Sequence, residues 1–257
     1  MTLAKKIIVA SFMFLPMKAI SETESNGRYE FNIPVAMEKT ADESGKAWRE
    51  FIVSANSTFK DRIKYGSVDY SGVNDDEIWK TGIWRFSFPG GVKLTSDELP
   101  KTSIGTKIVG DIILAYQELT NVDFLIGVEE ARYNLDLEGN KINNVRGMRN
   151  LKKAYYDALI LRNNNLSSLD GLQNLRQIRR FALHGNPSLY DISALKNLES
   201  HGTVYFDKIG QYKIKPPKGS SFCNSIKNKK IYARETTKDQ KGKYVDGPYL
   251  TEDQICM

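Results

Sequence analysis

From residue 110 onward two hydrophobic periods alternate along the chain, and the alternation recurs. Each copy opens apolar, any, apolar, then carries an asparagine or a relative, then apolar residues at roughly three-residue steps. The first copy holds Ile112, Leu114, Gln117, Leu119, Val122, Leu125 and Val128. The second holds Leu135, Leu137, Asn140, Ile142, Val145, Met148 and Leu151. Leu159, Leu161, Asn164, Leu166, Leu169, Leu172, Leu175 and Ile178 make the third. Phe181, Leu183, Asn186, Leu189, Ile192, Leu195 and Leu198 make the fourth, and a fifth starts at Val204 and Phe206 before the pattern decays. The second apolar position falls at Leu114, Leu137, Leu161, Leu183 and Phe206, so the copies follow one another at nearly equal steps.

The two periods predict two kinds of backbone. Leu-x-Leu alternation predicts a strand with one buried face. The later three-residue steps predict a 3₁₀ or short helical return that buries one side. One copy cannot bury its own leucines, so the copies must stack, and at least three are needed for stability. Strands stacked side by side end in turns whose backbone groups are buried, and a side-chain amide can both donate and accept there. Asn140, Asn164 and Asn186 are therefore expected to form a structural ladder, with Gln117 as a weaker first rung. Leaving such an amide unpaired costs ~1–3 kcal/mol, which favours a structural over a chemical role.

These residues resemble the leucine-rich repeat family. Leu189-Tyr-Asp-Ile-Ser-Ala-Leu-Lys-Asn-Leu198 is similar to bacterial internalin-type repeats, and Leu119-Thr-Asn-Val-Asp-Phe-Leu125 to those of other secreted bacterial leucine-rich proteins. The resemblance covers about residues 105–206 and departs from the family in its few copies, in Gln117, and in Ala131 and Ala154 at late apolar positions. It implies an α/β solenoid of about five 22–24-residue repeats with a parallel β-sheet on its concave face. It also implies binding of proteins on that face.

A solenoid needs caps at both ends. Upstream, within residues 22–104, Trp48, Phe51, Ile52, Ala55, Phe59 and Ile63 predict an amphipathic helix over 41–64. Trp79, Trp84, Phe86 and Phe88 follow as candidate cover for the first repeat, ahead of a turn at Pro89-Gly90-Gly91. Downstream, residues 207–257 form the second expected cap, where Pro216-Pro217 breaks the phase. Both cysteines, Cys223 and Cys256, lie there and are expected to pair, since two cysteines without a nearby histidine make a poor metal site.

Residues 1–21 change the compartment and the charge. Lys5 and Lys6 precede the apolar stretch Ile7–Met17, and Ala19 and Ser21 precede Glu22, the layout of a cleaved secretory signal. The full chain carries a formal charge of +6, which falls to +3 once Lys5, Lys6 and Lys18 are removed. Eleven of the remaining bases, against six acids, lie in 207–257. Lys213, Lys215, Lys218, Lys227, Lys229 and Lys230 offer weak contact with an anionic surface. No nucleic-acid partner, and no integral membrane span after cleavage, is expected.

Chemistry is sparse. His184 and His201 have no accompanying hydrolase, zinc, P-loop or dinucleotide motif, so no catalytic residue, metal or cofactor is expected. Recognition remains. Three columns of non-leucine positions face outward: Asp111, Asn134, Ala158, Arg180 and Thr203; Ile113, Asp136, Ile160, Ala182 and Tyr205; Ala115, Glu138, Arg162, His184 and Asp207. Of these, Ile113, Asp136, Glu138, Ile160, Arg162, Arg180, His184 and Tyr205 are the candidate partner-binding residues. The expected function is non-catalytic recognition of a protein by an exported chain. The alternatives are a structural or assembly component of a bacterial envelope or surface apparatus, and a hydrolase or toxin using the N-terminal region.

Overall fold

The computed structural model of the protein describes residues 23–25, 28–30, 38–63, 67, 69–71, 82–83, 85–102, 104–108, 110–162, 164–199 and 201–257. The expected signal segment 1–21, Trp79 and Trp84 lie outside them. Residues 1–37 form one unit, in which β1 (Thr23–Ser25) and β2 (Arg28–Glu30) pair antiparallel. Residues 38–257 form the other, described from here on.

This second unit begins with α1 (Glu38–Thr58), which starts before and ends earlier than the 41–64 expected from its apolar stripe. Phe59 and Ile63 extend the stripe as turns, with the Ile63 amide donating to the Phe59 carbonyl at 3.0 Å. Trp48, Ile52, Ala55 and Phe59 are buried. Trp48 meets Phe124 at 6.2 Å between ring centroids, and Phe51 and Phe59 lie 5.8 and 5.7 Å from Phe88. The helix thus closes the aliphatic stack with rings, whose large apolar area makes them effective covers.

Beyond α1 run β3 (Asp69–Ser71), β4 (Gly82–Ile83), β5 (Arg85–Ser87), β6 (Thr106–Ile108), β7 (Ile112–Ile113), β8 (Val128–Ala131) and β9 (Leu135–Asp136). After them come β10 (Lys153–Ile160), β11 (Gln177–Ala182), β12 (Gly202–Phe206), β13 (Ile231–Lys238) and β14 (Tyr244–Leu250). They form a mostly parallel sheet with the strands in chain order, a solenoid-like α/β arrangement. Its main ladder places Phe86, Ile112, Leu135, Leu159, Phe181, Val204 and Ala233 side by side. A second ladder sets Ile83 beside Ile108, Ile108 beside Ala131, Ala131 beside Ala154 and Ala154 beside Ile178. The strand β10 serves both, its first residues pairing with β8 and its last with β9.

Every apolar residue of the sequence pattern from Ile112 to Phe206 is at most 1% exposed, so the alternation and the three-residue steps point into one core. The returns are short: the 3₁₀ turns Asp123–Leu125, Arg146–Met148 and Ser193–Asn197 each follow a strand of the main ladder. Coils approach so closely there that a Cβ on Gly147 would stand 2.0 Å from the Val122 carbonyl oxygen, which restricts that position to glycine.

The sheet runs past both boundaries expected of a separate cap. Across 104/105, β5 pairs parallel with β7, and across 206/207, β13 pairs parallel with β12. Ile231 and Ala233 alternate inward as Val204 and Phe206 do. The step from Val204 to its neighbour Ala233 is longer than the earlier ones because α2 (Ser221–Lys227) is inserted, and this hides the extra rung from the sequence period. The antiparallel strands β3 and β14 flank the parallel ladder at its two ends. The Cys223–Cys256 disulfide joins α2 to the residue after α3 (Glu252–Ile255), with Cα atoms 6.2 Å apart. Beneath it Phe222 and Ile255 are fully buried.

Candidate functional site

The middle column of outward positions is continuous in the sheet. Ile113 pairs with Asp136, Asp136 with Ile160, Ile160 with Ala182, Ala182 with Tyr205, and Tyr205 with Arg234. Ile113, Asp136, Ile160 and Tyr205 are half-buried, while Ala182 is buried. Arg180 is exposed in the first column, paired between Ala158 and Thr203. Burial, and then the neighbouring Glu138 carboxylate, push the Asp136 carboxyl above its ordinary pKa. Its Oδ1 also accepts from the Glu138 amide at 3.0 Å.

The third column behaves differently. Glu138, Arg162 and His184 stand on successive coils, but Glu138 and His184 are only 6% and 5% exposed. The sequence places both on an open face; here other side chains cover them. The Tyr116 hydroxyl donates to Glu138 Oε1 at 2.6 Å, and Arg162 forms an ion pair with the other Glu138 oxygen. That hydrogen bond to Glu138 raises the Tyr116 pKa. Tyr244, at the start of β14, lies on the His184 ring with centroids 4.4 Å apart and planes at 54°. Both His184 nitrogens are buried and without a hydrogen-bond partner among the described residues. Burial first, and Arg162 second, hold this imidazole below its ordinary pKa. Among the described residues, no hydroxyl or thiol is hydrogen-bonded to the His184 ring.

Two residues further along each coil stand the amides. Asn140 Nδ2 donates to the carbonyls of Leu114 and Leu137 at 2.8 and 2.9 Å. Asn164 Nδ2 reaches those of Leu137 and Leu161 at 3.0 and 3.1 Å, and Asn186 Nδ2 those of Leu161 and Leu183 at 2.9 and 2.7 Å. Each amide oxygen accepts in return, from the amides of Leu119, Ile142 and Leu166 respectively. Gln117 does the same at the first coil, accepting from the Leu94 amide and donating to the Pro89 and Ala115 carbonyls.

Two further columns escape the sequence reading. Asn150, Asn174 and Asn197 each donate to a carbonyl of the preceding coil, those of Ile126, Arg149 and Gln173, at 2.7 to 2.8 Å. Asn121, Asn144, Ser168 and Asp191 each accept from the amide two residues on, at the start of the returns. Both columns recur in step with the leucines, and that recurrence was the available signal.

Among the described residues, no group of three or more histidines, cysteines or carboxylates could hold a metal ion, and no helix is long and apolar enough to cross a membrane. Comparison with known proteins finds no matching family model, no matching curated protein and no matching solved structure.

Proposed function

We propose that the chain is an exported leucine-rich repeat protein that recognises a protein partner without catalysis, through the outward face of its parallel strands. The observation that carries this reading is the unbroken row from Ile113 through Ile160 to Tyr205. Half-exposed apolar groups held in register on a rigid sheet suit an extended partner surface. Asp136 and the solvent-reaching part of Arg162 add polar groups that fix orientation. The disulfide supports export, because such bonds persist in oxidising compartments.

The test is capture from envelope and host extracts with the protein beginning at Glu22, repeated with Ile160→Asp and with Tyr205→Ala. Both variants should lose the captured protein while keeping the parent's unfolding midpoint within ~1 kcal/mol. Unchanged capture by folded variants overturns the reading. Export is tested separately: a reporter fused after residue 21 should leave the cytoplasm, and one fused to a chain starting at 22 should not.

A further inference from the structure

Because β13 joins the sheet beside β12, basic residues far apart in sequence meet at one edge. Arg179 and Arg180 of β11 and Lys229 and Lys230, which lead into β13, line a recess of about 430 Å³. His201, Gly202 and Thr203 complete its lining together with two aromatic residues, Tyr205 and Tyr232. Among the described residues, no carboxylate and no aliphatic side chain lines it. Its volume lies in the range of small-ligand clefts.

Lys229 holds a left-handed backbone, φ 55°, where α2 ends, and there the Lys230 amide donates to the Ser225 carbonyl at 2.8 Å. The aromatic groups set this recess apart from an ordinary solvated surface. Beside the recess, Tyr232 and Tyr249 are 46% and 60% exposed yet fixed against one another, with centroids 5.5 Å apart and planes at 54°. The Arg234 guanidinium lies 4.5 Å over the Tyr249 ring and is held in place by Asp246.

We propose that this recess binds an acidic glycan. Arginine forks and lysine ammonium groups suit carboxylate or sulfate groups. The tilted tyrosine shelf offers apolar faces for the C–H edges of pyranose rings, and a simple anion has no use for it. A lipid headgroup would bring acyl chains, and the recess has no aliphatic wall to receive them. Two flat tyrosines in parallel would suit nucleic-acid bases better than a shelf bent by 54°. The recess shares Arg180 and Tyr205 with the proposed protein-docking face, while Lys229 and Tyr232 lie off the Ile113–Tyr205 row and so report on the recess alone.

The experiment is calorimetric titration of the folded, disulfide-bonded protein near physiological salt with oligogalacturonate and with sulfated dextran oligomers. The carboxylate and sulfate arms distinguish the two sources of charge, and binding of either supports the proposal. Arg180→Gln should weaken that binding about tenfold, and Tyr232→Ala about fivefold although it changes no charge. Lys229→Gly relieves the backbone, so it should unfold no earlier than the parent and still lose about tenfold in binding. Binding of neither glycan overturns the proposal. So does equal affinity for a glutamate hexapeptide or a thymidine oligonucleotide, or an unchanged titration with Tyr232→Ala, since each marks a mere cationic patch.

Discussion

Two polar rails run along the same coils, two residues apart, and solve the same problem differently. Asn140, Asn164 and Asn186 form one, and Glu138, Arg162 and His184 the other. An amide donates and accepts at once, so the identical residue can recur and satisfy the coil on either side. The Leu137 carbonyl takes a hydrogen bond from Asn140 and another from Asn164, and the Leu161 carbonyl from Asn164 and Asn186. An ionisable rail cannot repeat one residue, because like charges on neighbouring coils repel. It goes negative, positive, neutral, and at His184 leaves two ring nitrogens without a hydrogen-bond partner among the described residues. Uniformity stabilises the first rail; the second depends on groups from elsewhere, Tyr116 and Tyr244.

The largest effect should come from forcing the first rail to resemble the second. Asn164→Asp keeps the acceptor for the Ile142 amide but turns an oxygen toward the carbonyls of Leu137, Leu161 and Arg162. A buried carboxylate facing acceptors should cost on the order of 4 kcal/mol, read as a shift of the urea midpoint. A loss below ~1 kcal/mol would show that the amide's donor is dispensable.

Breaking the second rail should cost less. Arg162→Met leaves the Glu138 carboxylate buried without its guanidinium, while the Tyr116 hydroxyl still donates to it. The loss of a fully buried ion-pair partner costs ~3–5 kcal/mol, but the Arg162 side chain is 36% exposed, so about 2 kcal/mol is expected. Glu138→Gln combined with Arg162→Met should recover more than half of it, because no charge is then left alone. Additive losses in that double-mutant cycle would mean the two side chains do not act as a pair.

At the far end of the rail the effect depends on pH. Arg162, Glu138, Asp207, Asp246 and Tyr244 face His184, and burial with Arg162 outweighs the carboxylates, so its folded pKa is depressed. The unfolded imidazole titrates near ~6.5. Above that value neither state binds the proton. As pH falls below it, the unfolded chain takes up a proton that the folded chain does not, and stability declines until the folded pKa is reached. The decline should be on the order of 1 kcal/mol per pH unit at its steepest, and His184→Leu should remove it while leaving stability at about pH 7.5 unchanged. A parent-like acid limb in that variant would assign the pH dependence to other groups.

The rails were not equally legible in the sequence. The leucine intervals and the recurrent asparagines stand in the chain itself, because identical coils need identical residues at identical steps. Glu138, Arg162 and His184 could be placed in one column, yet nothing local tells that Tyr244, more than two coils further along the chain, returns to cover His184. That contact depends on the hairpin of β13 and β14, whose own place was hidden by the helix inserted before Ile231. The basic recess was hidden for the same reason: Arg180 and Lys230 become neighbours only once β13 is known to follow β12.

The smallest effect should come from a coil-to-coil pair that resembles the second rail in everything but burial. Arg146 Nε and Asp170 Oδ2 lie 3.3 Å apart on neighbouring coils, with side chains 74% and 54% exposed. Water already solvates both charges, and holding two long side chains together offsets most of the Coulomb gain. The backbone role of Arg146 is separate, since its amide donates to Asn144 Oδ1 whatever the side chain. Arg146→Ala should therefore shift the urea midpoint by less than ~0.5 kcal/mol, against about 2 kcal/mol for Arg162→Met. Equal losses at the two arginines would mean that coil-to-coil pairing itself, and not exclusion of water, sets the strength of the ionic rail.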